Sequence, residues 1–189
     1  MFKREFDSSA HKVVRVTGEV TPGCEWVLRG EGVATEKVDG SAVARIGGMW
    51  YKRFDAKQGR RIPPGSIACV PKADPVTGHW PHWTPVDLDA PSNRWFAMAI
   101  ANTPWIGDAD GTFELVGKHI QANPYGLDAD FLEPHGRIKI HDLEPTYTGI
   151  RKWLATHEVE GIVWWKDGEP RCKIKRSDFG FEWPVREAR

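Results

Sequence analysis

Apolar and polar residues alternate in short runs along the first half of the chain, and glycine-bearing turns separate the runs. Val13–Val16 is β-branched, and Val33–Glu36 leads into Lys37-Val38-Asp39-Gly40. Ser41–Ile46 alternates up to Gly47-Gly48, and Met49–Phe54 runs back. A Gly-Gly pair between two such runs predicts a hairpin, because glycine accepts the positive φ angles of a tight turn. Asp110-Gly111 turns into a strand over Thr112–Val116, and a further strand is expected over Arg137–Ile140. Gly161–Trp165 and Arg171–Lys175 predict a last hairpin around Lys166-Asp167-Gly168-Glu169-Pro170. Two stretches read as helices. One runs behind Ser92 to Ala101, and the other opens at Pro145 and runs to about His157, with Ile150, Trp153 and Leu154 on one face. Strands joined by turns, with few helices, predict an antiparallel α+β fold and exclude a doubly wound parallel sheet.

Composition narrows the class. A chain of 189 residues suits one compact domain over 1–189. The 26 Lys+Arg balance 26 Asp+Glu, which excludes a tail-driven nucleic-acid binder but leaves room for a local basic groove. No apolar run is long enough to span a membrane, and the start, MFKREFDSSAHK, lacks the apolar core of a signal peptide. Cys24, Cys69 and Cys172 are odd in number, far apart and never in a CxxC, so the expectation is a reducing, cytoplasmic setting without a disulfide framework. Ten tryptophans suit half-buried sites with the ring N–H at a polar edge. The Pro-, Gly- and Trp-rich stretch 62–91 reads as an irregular but ordered insertion.

Three elements could carry chemistry. Lys37 at a strand end, before an Asp-Gly turn, is a candidate nucleophile, provided that its ammonium loses a proton; Asp-Gly is also simply a common hairpin turn. Lys173 and Lys175 leave one face of the last strand, and Glu160 starts its partner. A carboxylate facing two ammonium groups suits a metal and phosphates, while lysines on an edge strand also guard against aggregation. Glu114 in Phe113-Glu114-Leu115-Val116-Gly117 either points to solvent, as alternation makes the default, or binds ribose hydroxyls in a cleft. The segment 52–61 carries five cations, among them Arg53, against one anion, with interleaved aromatics, and reads as a backbone-binding rim or a solvated loop. Cys69, His79 and His82 include an HxxH spacing but lack a fourth ligand, so Pro and Trp packing is the expected role there. His11, His119, His135 and His157 have no spacing that singles them out.

The order of these elements resembles the nucleotidyltransferase domain of the covalent nucleotidyltransferase superfamily, the ATP-dependent ligases and mRNA capping enzymes. Lys37–Gly40 matches the KxDG of motif I, the strand of Glu114 resembles motif III, Glu160-Gly161-Ile162-Val163 resembles motif IV, and Lys173-Ile174-Lys175 resembles motif V. The contexts Ala34–Ser41 and Glu114–Pro124 are most similar to small RNA ligases, and the resemblance covers about residues 26 to 180. It implies an antiparallel adenylation domain and an ATP-dependent RNA ligase that seals 5′-phosphate and 3′-hydroxyl ends through lysyl-AMP. The implied partners are RNA ends or a nicked duplex in RNA repair, with no membrane; nothing in the sequence sets an oligomeric state.

By the same resemblance Lys37, Lys175 and Glu160 are the catalytic set, and Glu160 is the carboxylate for Mg²⁺ or Mn²⁺. Glu36, Asp39, Gly40, Arg45, Arg53, Glu114, Ile138, Ile162 and Lys173 are the expected nucleotide contacts, with Glu114 on the ribose. Gly40 would let the backbone approach the nucleotide. There are two departures. Gly136–His141 has no aromatic residue to stack on the purine, so Ile138 and Ile162 are expected to cover the base. The chain also ends fourteen residues after Lys175, which leaves no room for the OB-fold of DNA ligases and capping enzymes. That counts against the alternatives of a DNA ligase or a GTP-using capping enzyme. The intact set Lys37, Glu160, Lys173 and Lys175 counts against a non-catalytic nucleotide- or RNA-binding module.

Overall fold

The computed structural model describes residues 1–6, 13–57, 59–75 and 77–185. Eleven strands appear among them: β1 (Phe2–Phe6), β2 (Val13–Val20), β3 (Val33–Lys37), β4 (Ser41–Ile46), β5 (Met49–Ala56), β6 (Ile67–Ala68), β7 (Trp80–Pro85), β8 (Gly111–Val116), β9 (Phe131–Pro134), β10 (Gly161–Lys166) and β11 (Glu169–Lys175). The α-helices are α1 (Glu25–Leu28), α2 (Arg94–Ala101) and α3 (Tyr147–Thr156). Every strand pairing is antiparallel, as an α+β fold of turn-linked strands requires. The chain forms two compact units, Met1–Asp39 with Gly136–Arg189, and Gly40–His135.

The first unit is built on the three-stranded sheet β11-β10-β3 and the ribbon β1-β2. Asp167 (φ 54°) and Gly168 (φ 76°) form the tight turn between β10 and β11, so the hairpin closes over two residues and its strands run longer than the sequence predicts. One face of the sheet presents Ile162, Ile174, Trp164 and Cys172 to a core that also holds Val27, Ile150, Trp153 and Leu154. Helix α3 buries Gly149, Ile150, Trp153 and Leu154, the spacing of one helical stripe. It starts two residues later than Pro145 suggests, because the Thr146 hydroxyl accepts the Gly149 N–H and makes Thr146 the cap. Helix α1 was not legible in the sequence, since four residues carry no periodicity. The expected strand at Arg137–Ile140 is reduced to one bridge, Thr35 to Lys139, and two main-chain bonds to β3.

Cys24 and Cys172 form a disulfide within this unit, contrary to the expectation of no disulfide framework. The two are 148 residues apart and become neighbours only in the folded core that they share, which spacing cannot reveal. Cys69 is free.

The second unit is a six-stranded sheet in the order β6-β7-β5-β4-β8-β9. Gly47 and Gly48 both adopt positive φ, and the predicted β4–β5 hairpin closes at them. The stretch 62–91 is more regular than expected: it supplies β6 and β7, and β7 pairs with β5 along six residues. Its prolines stand in β7 at Pro81 and Pro85 and in the turns, while Trp80, His82 and Trp83 make the strand. Strand β9, in place of Arg137–Ile140, pairs with β8. Val43, Phe96, Ala99, Phe113, Leu115 and Leu132 form the core, with α2 packed over it. That helix follows a 3-10 turn at Pro91–Asn93, and Asn93 precedes it without a side-chain cap, so Ser92 does not cap it.

Candidate active site

Lys37 ends β3, Lys175 ends β11, and both lie opposite Gly161 of the central strand β10. Residues opposite one another in an antiparallel sheet share a face, so the two lysines flank a position without a side chain. A Cβ on Gly161 would collide with the Ile174 carbonyl oxygen and the Lys175 Cα, so the strands approach this closely only because residue 161 is glycine. The next row on this face holds Thr35, Val163 and Lys173.

Glu160 immediately precedes Gly161, and its side chain is only 6% exposed. Oε1 lies 2.6 Å from Lys175 Nζ, and Oε2 accepts a hydrogen bond from Lys37 Nζ. One buried carboxylate thus joins ammonium groups from two strands. The expected partners of Glu160 were Lys173 and Lys175, read from the hairpin alone; the third strand brings in Lys37. Lys37 is 22% exposed and Lys175 41%, so both remain open to an incoming anion. Burial makes Glu160 depend on this pairing, because an unpaired carboxylate in such a place costs several kcal/mol.

The other expected residues of this unit divide between the two faces. Glu36 and Ile162 share a cross-strand row with Ile174, on the face opposite Lys37 and Lys175; Ile162 is fully buried in the core. Ile138 lies beside β3, where its carbonyl accepts the Glu36 N–H at 2.9 Å, and is half-buried. Asp39 accepts a 2.8 Å hydrogen bond from the Trp183 ring N–H. On the lysine face the Trp165 indole donates to the Thr35 hydroxyl at 3.0 Å, which in turn donates to the Val163 carbonyl.

The second unit holds Gly40, Arg45, Arg53 and Glu114. Glu114 does not follow the alternation of its strand to solvent: Phe113, Glu114, Leu115 and Val116 are all buried, so both faces of β8 are covered. Its Oε2 is 2.8 Å from His135 Nε2, a partner that sequence spacing did not single out. A Cβ on Gly40 would strike the Leu115 carbonyl and crowd Glu114 and Val116, so main-chain packing on β8 already accounts for this glycine. Arg45 pairs with Asp108 at 2.9 Å while its Nη1 is buried without a hydrogen bond. Arg53 pairs with the exposed Asp55 at 2.9 Å, and Arg60 lies over the Phe54 ring at 5.1 Å.

A second histidine was also missed. His119 Nδ1 lies 2.8 Å from Oδ2 of the buried Asp130, and the ring stacks flat on Trp95, with ring centres 3.6 Å apart; Arg94 lies over the same indole at 4.4 Å. Asp130 fits because Gly117 (φ 138°) has no Cβ to meet it. The only sequence signal was proximity to the Glu114 strand. His157 stacks on Trp153 and caps α3, a structural role, and His11 lies outside the described residues. His82 is buried with Nδ1 on the Trp80 carbonyl, and burial raises the pKa of the Cys69 thiol. No group of three or more metal-ligating side chains occurs among the described residues. No helix of the described residues is long and apolar enough to cross a membrane.

Comparison with known proteins finds similarity to RNA ligases. Residues 97–189 match the profile of the RNA ligase 1 family, a span that includes Glu114, Glu160, Lys173 and Lys175 and lies C-terminal to Lys37. A protein named RNA ligase 1 from Danio rerio is 29% identical over 139 aligned residues, and its namesake from Rattus norvegicus 27% over 140. RNA ligase 1 of Mus musculus is likewise 27% identical over 140 residues. The matches cover 57% of this chain and 42–43% of each relative, so the chain spans less than half the length of the curated relatives it matches.

Proposed function

We propose that the chain is a member of the RNA ligase family that its residues 97–189 match, an ATP-dependent RNA ligase with an adenylation-domain fold in which Lys37 is the nucleophile. The observation that carries this reading is the joining of Lys37 and Lys175 through Glu160 across three strands. Lys37 Nζ would give up a proton to water and attack the α-phosphorus of ATP; a P–N bond forms, the bond to the bridging oxygen breaks, and pyrophosphate leaves. The AMP would then pass to an RNA 5′-phosphate, which frees Lys37. A 3′-hydroxyl would attack that phosphate and expel AMP, closing the strand.

Transfers of this kind need positioning and charge neutralisation more than covalent help from the protein. Lys175 supplies a cation beside the nucleophile, and Lys173 adds another one row along the same face. Glu160 is one carboxylate, and Mg²⁺ is commonly bound through one or two carboxylates plus phosphates and water, so the donor set fits that ion. When bound, the metal would neutralise phosphate charge. Glu160 itself holds the two lysines at a common point. Glu114, kept in place by His135, is the candidate contact to the ribose, and Arg45 and Arg53 remain candidates for phosphate.

Intact mass before and after incubation with ATP and Mg²⁺, then with GTP, tests the proposal. A gain of one AMP mapped to Lys37, and its loss in Lys37→Ala, is the expected result. Protein shown to be unadenylylated that gains nothing after pyrophosphate removal would overturn it in favour of a binding module.

A further inference from the structure

The ladder of β3 stops at Lys37, and the turn that follows, Val38-Asp39, lies outside regular structure. A nucleophile at such a position moves with its turn unless something outside the ladder holds it. That hold comes from the other end of the chain. After β11 the main chain is fixed in succession to the residues that surround Lys37. The Lys175 N–H donates to Asp178 Oδ2 at 2.9 Å, and Arg4 clamps the same buried carboxylate with two bonds of 3.0 and 2.8 Å. The Arg176 N–H donates to the Glu160 carbonyl at 2.7 Å. The Arg176 guanidinium is buried against the carbonyls of Leu154, His157 and Glu182. Gly180 (φ 79°) reverses the chain, and Trp183 returns to donate its ring N–H to Asp39 Oδ2. The segment 176–183 therefore bonds to Lys175, to Glu160 and to the turn after Lys37.

We propose that Trp183 is a positioning residue for Lys37, acting through Asp39. The inference rests on the reading of Lys37 as the nucleophile. Trp183 acts by setting where the turn, and with it the ammonium group, stands relative to Glu160. A neutral donor on a carboxylate is a strong hydrogen bond, and its loss is readable without removing the ring.

The test compares wild type with Trp183→Phe, Asp39→Ala and the double variant in single-turnover lysyl-AMP formation. Trp183→Phe should slow the rate constant by about tenfold, the worth of one charge-assisted hydrogen bond. The apparent KM for ATP should stay within about twofold, since ground-state binding is not what the bond supplies. The double variant should be no slower than the slower single one, because both remove the same bond. A merely structural role would lower the reactive fraction or the melting temperature and leave the rate constant of the folded fraction unchanged. The ¹⁵N–¹H signal of the Trp183 indole, identified by its absence in Trp183→Phe, should shift in Asp39→Ala. A wild-type rate constant in Trp183→Phe, multiplicative losses, or an indole signal indifferent to Asp39→Ala overturns this assignment alone. Wild-type protein that forms no lysyl-AMP overturns the ligase reading, and this assignment with it.

Discussion

Lys37 and Lys175 stand opposite the same residue, Gly161, one on each strand flanking β10. The two cations of the candidate site are thus set by strand register, and the Glu160 carboxylate reaches both. Register is rigid where one face of a sheet is buried, and here Ile162 and Ile174 on the opposite face are fully buried.

Gly161→Ala should be strongly disruptive, because the added methyl meets main chain, which cannot swing aside. Overpacking of this kind costs about 1–3 kcal/mol. Urea denaturation should show the loss, and the surviving folded protein should adenylylate more slowly because β11 is pushed away from β3.

Glu160→Gln keeps the shape of the side chain and removes its charge. Lys37 and Lys175 then repel with no carboxylate between them, and lysyl-AMP formation should fall by about a hundredfold or more, as for other preorganised charged groups. Single-turnover kinetics at saturating ATP measure it. Stability should change less than in Glu160→Ala, which leaves the buried site without any acceptor.

Peptide mapping without reductant should recover Cys24 linked to Cys172, with Cys69 alkylated as a free thiol. The closed loop is long, so chain entropy gives a stabilisation of up to about 5 kcal/mol. Reduction, or Cys24→Ser, should lower the urea midpoint. Cys69→Ser should not.

Asp110 accepts hydrogen bonds from the Gly47 and Gly48 N–H groups at the tip of the β4–β5 hairpin, and these hold its carboxyl below the usual carboxylate range. A group whose pKa is lower folded than unfolded stabilises the fold above the unfolded value, about 4, and that contribution is lost as the pH falls through the folded value. Asp110→Asn should therefore melt below wild type at neutral pH, and the two melting curves should converge on acidification. A gap that is independent of pH would mean that the charge plays no part.

How far the sequence reached depended on the range of the interaction. The β4–β5 and β10–β11 hairpins were legible because Gly47-Gly48 and Asp167-Gly168 are local turn signals beside alternating residues. Strand β9 was not, being four residues that end in proline and have no pattern of their own; it exists because β8 offers it an edge. Strand alternation predicted an exposed Glu114, and burial of both faces of β8 overrode it.

The chain by itself determined the class of fold and the identity of the chemically capable groups: a lysine before an Asp-Gly turn, a glutamate before a glycine, two lysines on the last strand. Turn propensity, alternation and side-chain type are properties of neighbouring residues, so they survive in one dimension. Only the tertiary structure decided which ammonium groups share Glu160, that Cys24 meets Cys172, that His135 and His119 each face a carboxylate, and that Trp183 reaches Asp39. Those are pairings across 11 to 148 residues. They are fixed by register and by which surfaces bury together, which no local pattern encodes.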